Sequence, residues 1–363
     1  MTGSVSPAHA ATPDLAGGER LVVAVDANGA DMGPAEVAAG AGIAAAQGVR
    51  VLLFGPAREI GVPAPGVEVI DAPVSVAKSA DPARAVRSTP EASIVQAARA
   101  VAEDRAQALV CAGGTGAALA AGLFNIKRAR GVHRPALALP IPVPAHAVTL
   151  LDVGANAQAR SEHLVQFAFM GAAFANAVLG VEHPRVGLLS NGEEAQRGSD
   201  VVVQAATELT AHSGDRVLRF LGNVEGGDIV GGVADVIVTD GFTGNIALKL
   251  MEGVSQTMLG AVRGAALSST RGKLGGLLLR PSLRGFRDQI DPEAQGGAYL
   301  LGLRRLAVVP HGRFARNGFA AAIVRAERGA REDVVGRTHA ALAEAGALRV
   351  APASAGPASL AVE

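Results

Sequence analysis

The sequence predicts an α/β protein, a mainly parallel sheet with helices on both faces. Two observations predict it. Short apolar runs alternate with Ala-rich helical patterns over most of the chain, the rhythm of strand, crossover helix and parallel strand. Four of the runs also pass straight into Gly, Asn, Thr or Asp and then into a helical pattern: LVCAGGTGAALAAG from Leu109, LLDVGAN from Leu150, VGLLSNGEE from Val186 and VIVTDGFTGN from Val236. Open α/β sheets bind ligands outside the carboxyl ends of their strands, and a helix N-terminus there turns backbone N–H groups toward an anion. Four such turns predict several loops meeting around one phosphate-sized group.

In chain order, residues 21–25 form a strand ending in Asp26, and the turn DANGADMGP leads into a helix over 34–47 that opens on Pro34. Strands follow at 49–54 and 67–70, then a helical pattern at 90–104 running into a strand at 108–111. A helix over 119–130, a strand over 148–153 and a long apolar helix over 162–179 continue the alternation. Strands 185–189 and 216–220 flank a helix over 200–210, and strand 233–239 precedes a helix from about Thr243. Residues 251–290 break the rhythm. Their long helical pattern, interrupted by Gly and Ser around 268–276 and by Pro281, predicts a protruding helical hairpin. Residues 306–309 are the last apolar run, with His311 just beyond it. The expected organisation is one domain over 20–346 between flexible tails, 1–19 and 347–363, the latter rich in Ala, Pro and Ser.

The 33 basic and 33 acidic residues balance, so no net field attracts nucleic acid. Cys111 is the single cysteine; it rules out an internal disulfide and a cysteine-based zinc cluster, and fits a reducing cytoplasm. It reads either as a nucleophile or as a small apolar residue closing its strand. No run of about 18 apolar residues suggests a membrane span. The first residues have neither the basic start nor the apolar core of a signal peptide.

The residue types in the turns suit an anion. Gly113, Gly114 and Gly116 let backbone amides approach it, and Thr115 adds a hydroxyl. No Lys follows in P-loop register and no acidic ribose partner is evident, so nucleotide sites are disfavoured against inorganic phosphate or a small phosphorylated group. In DGFTGNIALK, Asp240 ends a strand, Thr243 can cap a helix, and Asn245 and Lys249 share a helical face. Asp26, Asp152, Asn156, Asn191, Glu193 and Glu194 supply carboxylates and amides at the turns, either as ligand-facing groups or as turn formers. His311 offers a titrating donor or base. In the hairpin, Arg271, Lys273 and Arg280 stand beside Leu277 and Leu278, a pairing suited to an acidic partner, an anionic membrane surface or, through the leucines, a dimer interface.

Taken with VAVDANGADMGP, ADPARAVR, RPALA, EHLVQFAFMG, GNVEGGD and GGAYLLGL, these motifs resemble, in order, the bacterial phosphate acyltransferase family over about residues 21–344. The resemblance implies a fold akin to isocitrate dehydrogenase and phosphotransacetylase, and a homodimer. It also implies reversible transfer of a fatty acyl group from acyl carrier protein to inorganic phosphate, giving acyl phosphate for a membrane glycerol-3-phosphate acyltransferase in phospholipid synthesis. No cofactor and no metal is implied. The implied location is the cytoplasm, with peripheral contact at the inner face of the membrane. On this reading Lys249, Asn245, Asp240 and His311 are catalytic. Asp26, Gly113, Gly114, Thr115, Gly116, Asp152, Asn156, Asn191, Glu193 and Thr243 bind phosphate or substrate. Arg271, Lys273, Leu277, Leu278 and Arg280 meet the carrier protein or the membrane. Several positions depart from the family pattern: Asn28 and Ala30 in the first loop, Gly114 for asparagine, Gly227 for arginine, Gln295 for tyrosine, and Arg313 with Phe314 in place of two serines. Alternatives are a divergent non-catalytic paralogue that binds acyl carrier protein or membrane, and a phosphotransacetylase-like enzyme using acyl-coenzyme A.

Overall fold

The computed structural model describes residues 21–143, 146–212, 217–289 and 292–349. The expected N-terminal tail and residues 350–363 lie outside them. Strands β1 (Val22–Asp26), β2 (Arg50–Gly55), β3 (Val67–Asp71) and β4 (Ala108–Cys111) alternate with helices α1 (Pro34–Ala46), α2 (Ala57–Ile60), α3 (Pro82–Ser88) and α4 (Ser93–Ala102). Then come α5 (Thr115–Ala121), β5 (Ala136–Pro142), β6 (Ala147–Leu151), α6 (Ser161–Leu179), β7 (Arg185–Leu189), α7 (Asp200–Ala211), β8 (Arg219–Val224), α8 (Asp228–Gly231) and β9 (Val236–Val238). The chain ends in α9 (Gly241–Leu267), α10 (Thr270–Gln289), β10 (Ala298–Leu301), β11 (Leu306–Val309), α11 (Arg316–Arg331) and α12 (Val334–Glu344).

Among the described residues the strands form one sheet of 11 in the order β3-β2-β1-β4-β11-β10-β5-β6-β9-β7-β8. Strands β3, β2, β1, β4 and β11 are parallel to one another, and so are β6, β9, β7 and β8. The joints β11–β10, β10–β5 and β5–β6 are all antiparallel. Three reversals leave the two parallel blocks pointing in opposite directions. The expectation that every glycine turn shares one carboxyl edge is therefore corrected. The turns after β1, β4 and β11 lie at one edge, and those after β6, β9 and β7 at the other.

The reversing strands were hidden by composition. Strand β5 carries Pro140 and Pro142, which cannot donate to a ladder, and it pairs with β10 only through Ala136, Leu137 and Ala138, so both prolines lie past the end of β10. Strand β10 is only four residues long. Two helix expectations also shift. The predicted helix over 119–130 begins earlier, as α5, and continues as a π-helical turn over Gly122–Ile126 before Lys127 leaves it at φ 72°. The strand expected at 216–220 is found as Arg219–Val224, with residue 216 outside the described segments.

Burial follows from the layers. Helices α1, α6, α7, α11 and α12 pack on one face through residues such as Val37, Phe167, Leu209, Phe319 and Leu342. Helices α3, α4, α5 and α8 and the start of α9 cover the other through Val86, Ile94, Ala118, Ile229 and Ala247. Residues 347–349, expected in a tail, stay attached to the body: the Gln166 side chain donates to the Ala347 carbonyl at 2.7 Å and Arg349 N–H to the Gly131 carbonyl at 2.8 Å.

Candidate active-site cleft

At the first edge, three loops interlock backbone to backbone. Asp31 donates its N–H to the Gly312 carbonyl at 2.8 Å. A Cβ at Gly29 would lie 1.9 Å from the Ala112 carbonyl oxygen, and one at Gly113 would lie 2.8 Å from the Gly29 carbonyl and 3.1 Å from Gly312 Cα. Glycine is thus required for the close approach of the turns after β1, β4 and β11. Gly114 opens α5 in the left-handed region (φ 66°), where asparagine is also tolerated, but a side chain there would start 3.1 Å from Ala77. Beside it, a cavity of about 520 Å³ is lined by Asn28, Gly29, Ala77, Lys78 and Ser79.

At the second edge, Asp152 is fully buried and its carboxylate accepts the N–H groups of Leu137, Gly154, Ala155 and Asn156 and the Asn156 side-chain amide, at 2.8–3.1 Å. Burial pushes its carboxyl up, and these donors oppose the rise. Asn156 also donates to the Pro135 carbonyl at 2.7 Å and accepts from Gly241 N–H at 2.7 Å. A Cβ at Gly244 would sit 1.9 Å from the Asp152 carbonyl oxygen, so α9 starts pressed against this loop. Asp240 caps α9: its carboxylate accepts from the N–H groups of Phe242 and Thr243 at 2.9 Å and from the Thr243 hydroxyl at 2.7 Å. The cap is Asp240 and not Thr243. Asn245, one turn in, faces Gly154, whose added Cβ would lie 4.0 Å away.

Helix α9 carries the two edges toward each other. From Gly241 to Glu252 it rises about 16 Å, and there Glu252 pairs with Arg313 of the loop after β11 at 3.0 Å. The charges that bear on His311 come from three elements: Arg313 on its own loop, Glu252 and Lys249 on α9, and Asp31 after β1. Partial desolvation of the ring, then the Arg313 charge, holds His311 below the ordinary imidazole value. The cleft therefore has the Lys249–Glu252 stretch of α9 as one wall and the 29–31, 113–114 and 311–313 turns as the other, with Asn245 about 6 Å further back along α9 toward the second edge. Lys249 and His311 are exposed, and Thr115 and Gly116 continue from the second of these turns as the exposed start of α5.

Not every expected residue faces this space. Asp26 is 1% exposed and bonded inward to Ser93 Oγ at 2.6 Å and Asn28 N–H at 3.1 Å, and burial pushes its carboxyl up. Its carboxylate braces the turn. Cys111, buried beside it, has its thiol pushed well up by burial and then by Asp26, which removes the nucleophile reading. Asn191 and Glu193 are exposed on the turn after β7. Glu194 pairs with Arg197 at 3.3 Å, and the described hydrogen bonds of its backbone carbonyl and that of Arg197 run to Asn223 at the end of β8, toward the sheet rim. Sequence reasoning missed Glu252, Arg313's partner, although it stands three residues beyond Lys249; Lys78 was visible only as one of four lysines.

The hairpin is present as α9 and α10, joined at Ser268. Phe242, Ile246, Leu250, Val254, Met258 and Val262 form an exposed stripe on α9, each four residues from the last. At the far end Leu277 and Leu278 are 62% and 74% exposed, near exposed Arg271, Lys273 and Arg280.

The family profile described as "Fatty acid synthesis protein" matches residues 21–337. A phosphate acyltransferase of Enterococcus faecalis is 40% identical over 301 residues, covering 80% of this chain and 90% of its own length. One from Geobacillus thermodenitrificans is 39% identical over 326 residues, covering 88% and 98%. Among solved structures, a phosphotransacetylase from Streptococcus pyogenes superposes with a TM-score of 0.59 at 15% identity, over 85% of this chain and 94% of the other. The EutD phosphotransacetylase of Staphylococcus aureus gives 0.56 at 18% identity over the same shares. These two likenesses establish the fold.

Proposed function

The chain belongs to the fatty acid synthesis protein family, and from that membership we propose that it is a phosphate acyltransferase: it transfers a fatty acyl group from acyl carrier protein to inorganic phosphate, giving acyl phosphate for phospholipid synthesis. The observation that carries the reading is the cleft itself. The Glu252–Arg313 pair ties α9 to the loop after β11, so the charges of Lys249 and Arg313 act on His311 beside the Gly113–Gly114 turn.

Phosphate is the nucleophile, so no covalent enzyme intermediate is needed. A phosphate oxygen attacks the thioester carbonyl, the carbonyl oxygen gains charge, and the thiolate leaves as the carbonyl re-forms. Lys249 and Arg313 offset the repulsion between the two anions, and the N–H groups at the start of α5, Gly114 to Gly116, with the Asn245 side chain stabilise the developing oxyanion. Neutral His311 takes the proton of monobasic phosphate and returns it to the departing thiolate. Asp240 fixes the start of α9 and hence the aim of Asn245 and Lys249. In this scheme Asp152 and Asn156 hold the opposite loop against α9. Thr115, Gly116 and Thr243 contact substrate at the rims, and Asn191 and Glu193, outside the cleft, take no part.

The acidic carrier protein docks on the basic end of the hairpin, at Arg271, Lys273 and Arg280. A second copy packs on the α9 stripe, and Leu277 and Leu278 rest on the inner face of the membrane, where product passes to a glycerol-3-phosphate acyltransferase. Exposure and charge support these assignments. No helix among the described residues is long and apolar enough to cross a membrane.

The test is thiol release from acyl-carrier-protein thioester with and without phosphate. Release must depend on phosphate, and Lys249→Ala must lower kcat/KM about 100-fold while leaving the fold intact. Release that ignores phosphate, or an absence of turnover with carrier-protein binding retained, replaces the reading with the non-catalytic one; faster turnover of acyl-coenzyme A replaces the donor.

A further inference from the structure

Away from the cleft, the start of α6 and the loop before β5 bring His133, Glu162 and His163 together, with one donor atom from each within 4.8 Å of the others. The two imidazole rings stand 5.7 Å apart, tilted by 50°. We propose that these three residues bind a divalent transition metal, Zn²⁺ being the ion suited to two imidazoles and a carboxylate with one position left to water.

The scaffold is prepared for it. Glu162 and His163 lie in the first turn of a 19-residue helix. Gln166, one turn on and 1% exposed, accepts the His133 N–H at 2.8 Å and donates to the Gly131 carbonyl at 2.9 Å. The helix that carries two ligands thus fixes the loop that carries the third. Two existing contacts yield on loading. Arg160, 78% exposed, reaches Glu162 only at 3.6 Å, a weak surface pair. His163 Nδ1 accepts Arg160 N–H at 3.2 Å, so a metal on Nε2 moves the ring proton to Nδ1 and gives up that long bond. Arg128, Arg134, Arg160 and Arg349 also bear on the rings. Their charge weakens a bare dication and favours an anion in the open position. The ion would clamp α6 to the loop whose Pro135 carbonyl holds Asn156.

The experiment titrates ZnCl₂ into chelator-treated full-length protein, following heat and melting temperature, and repeats this with His133→Gln, Glu162→Gln and His163→Asn. About one Zn²⁺ per chain, a raised melting temperature and a roughly 10- to 100-fold weaker site in each variant are expected. Glu162 lies at the rim, so Glu162→Gln decides the matter even if His163→Asn fails to fold. No saturable binding, or binding unchanged in His133→Gln and Glu162→Gln, overturns the site.

Discussion

At the scale of residues, His311 and Lys249 share a cleft wall to wall, and each constrains the other. Partial desolvation and Arg313 hold the His311 imidazole below its usual range, so it stays neutral to lower pH than a free histidine. The acid limb of kcat/KM is therefore expected below the ordinary histidine value, and His311→Gln should remove that limb while leaving the alkaline side; a limb unchanged in the variant would take His311 out of proton transfer. Gly244 carries a different constraint, because an added Cβ would fall 1.9 Å from the Asp152 carbonyl oxygen. Gly244→Ala should cost about 1–3 kcal/mol in urea unfolding, and lower activity by shifting α9. The sequence displayed the turns that build the cleft, because Gly–Asn–Asp turns are local signals. It did not display which carboxylates turn inward: Asp26 and Asp152 look like Asn191 and Glu193 in the linear chain, and only their neighbours Ser93 and Leu137 make them buried.

At the scale of elements, α9 does two jobs in one continuous run of 27 residues. Its first three turns complete the cleft, and the rest projects away as half of the hairpin, beyond the core. The strands legible from sequence were the short apolar runs, β1, β2, β3, β4, β7 and β11, found within a residue of their expected bounds. Strand β5 was illegible because Pro140 and Pro142 argue against a ladder unless one side is known to be open, and that is a property of where β10 stops. The basic end of α10 makes its own prediction. Reversing Arg271 and Arg280 to Glu should raise KM for acyl-carrier protein, the effect shrinking with added salt, and leave acyl-coenzyme A turnover nearly unchanged. Equal losses with both donors would place the hairpin's contribution inside the catalytic step.

At the scale of the whole molecule, the exposed leucines of α10 and the apolar stripe of α9 extend away from a body whose other large apolar side chains are mostly enclosed. Leu277→Glu with Leu278→Glu should abolish flotation with anionic liposomes while keeping turnover in solution; loss of the dimer in place of flotation would assign these leucines to the subunit interface. The parallel join between β4 and β11 has a further outcome at synthesis. Strand β4 is completed by β11, whose residues pair as Leu306 with Ala108 and Val308 with Val110, nearly two hundred positions along the chain. As the polypeptide leaves the ribosome, its first four strands can assemble with one flank bare. That flank stays open to aggregation or chaperone capture until about 200 further residues have been translated.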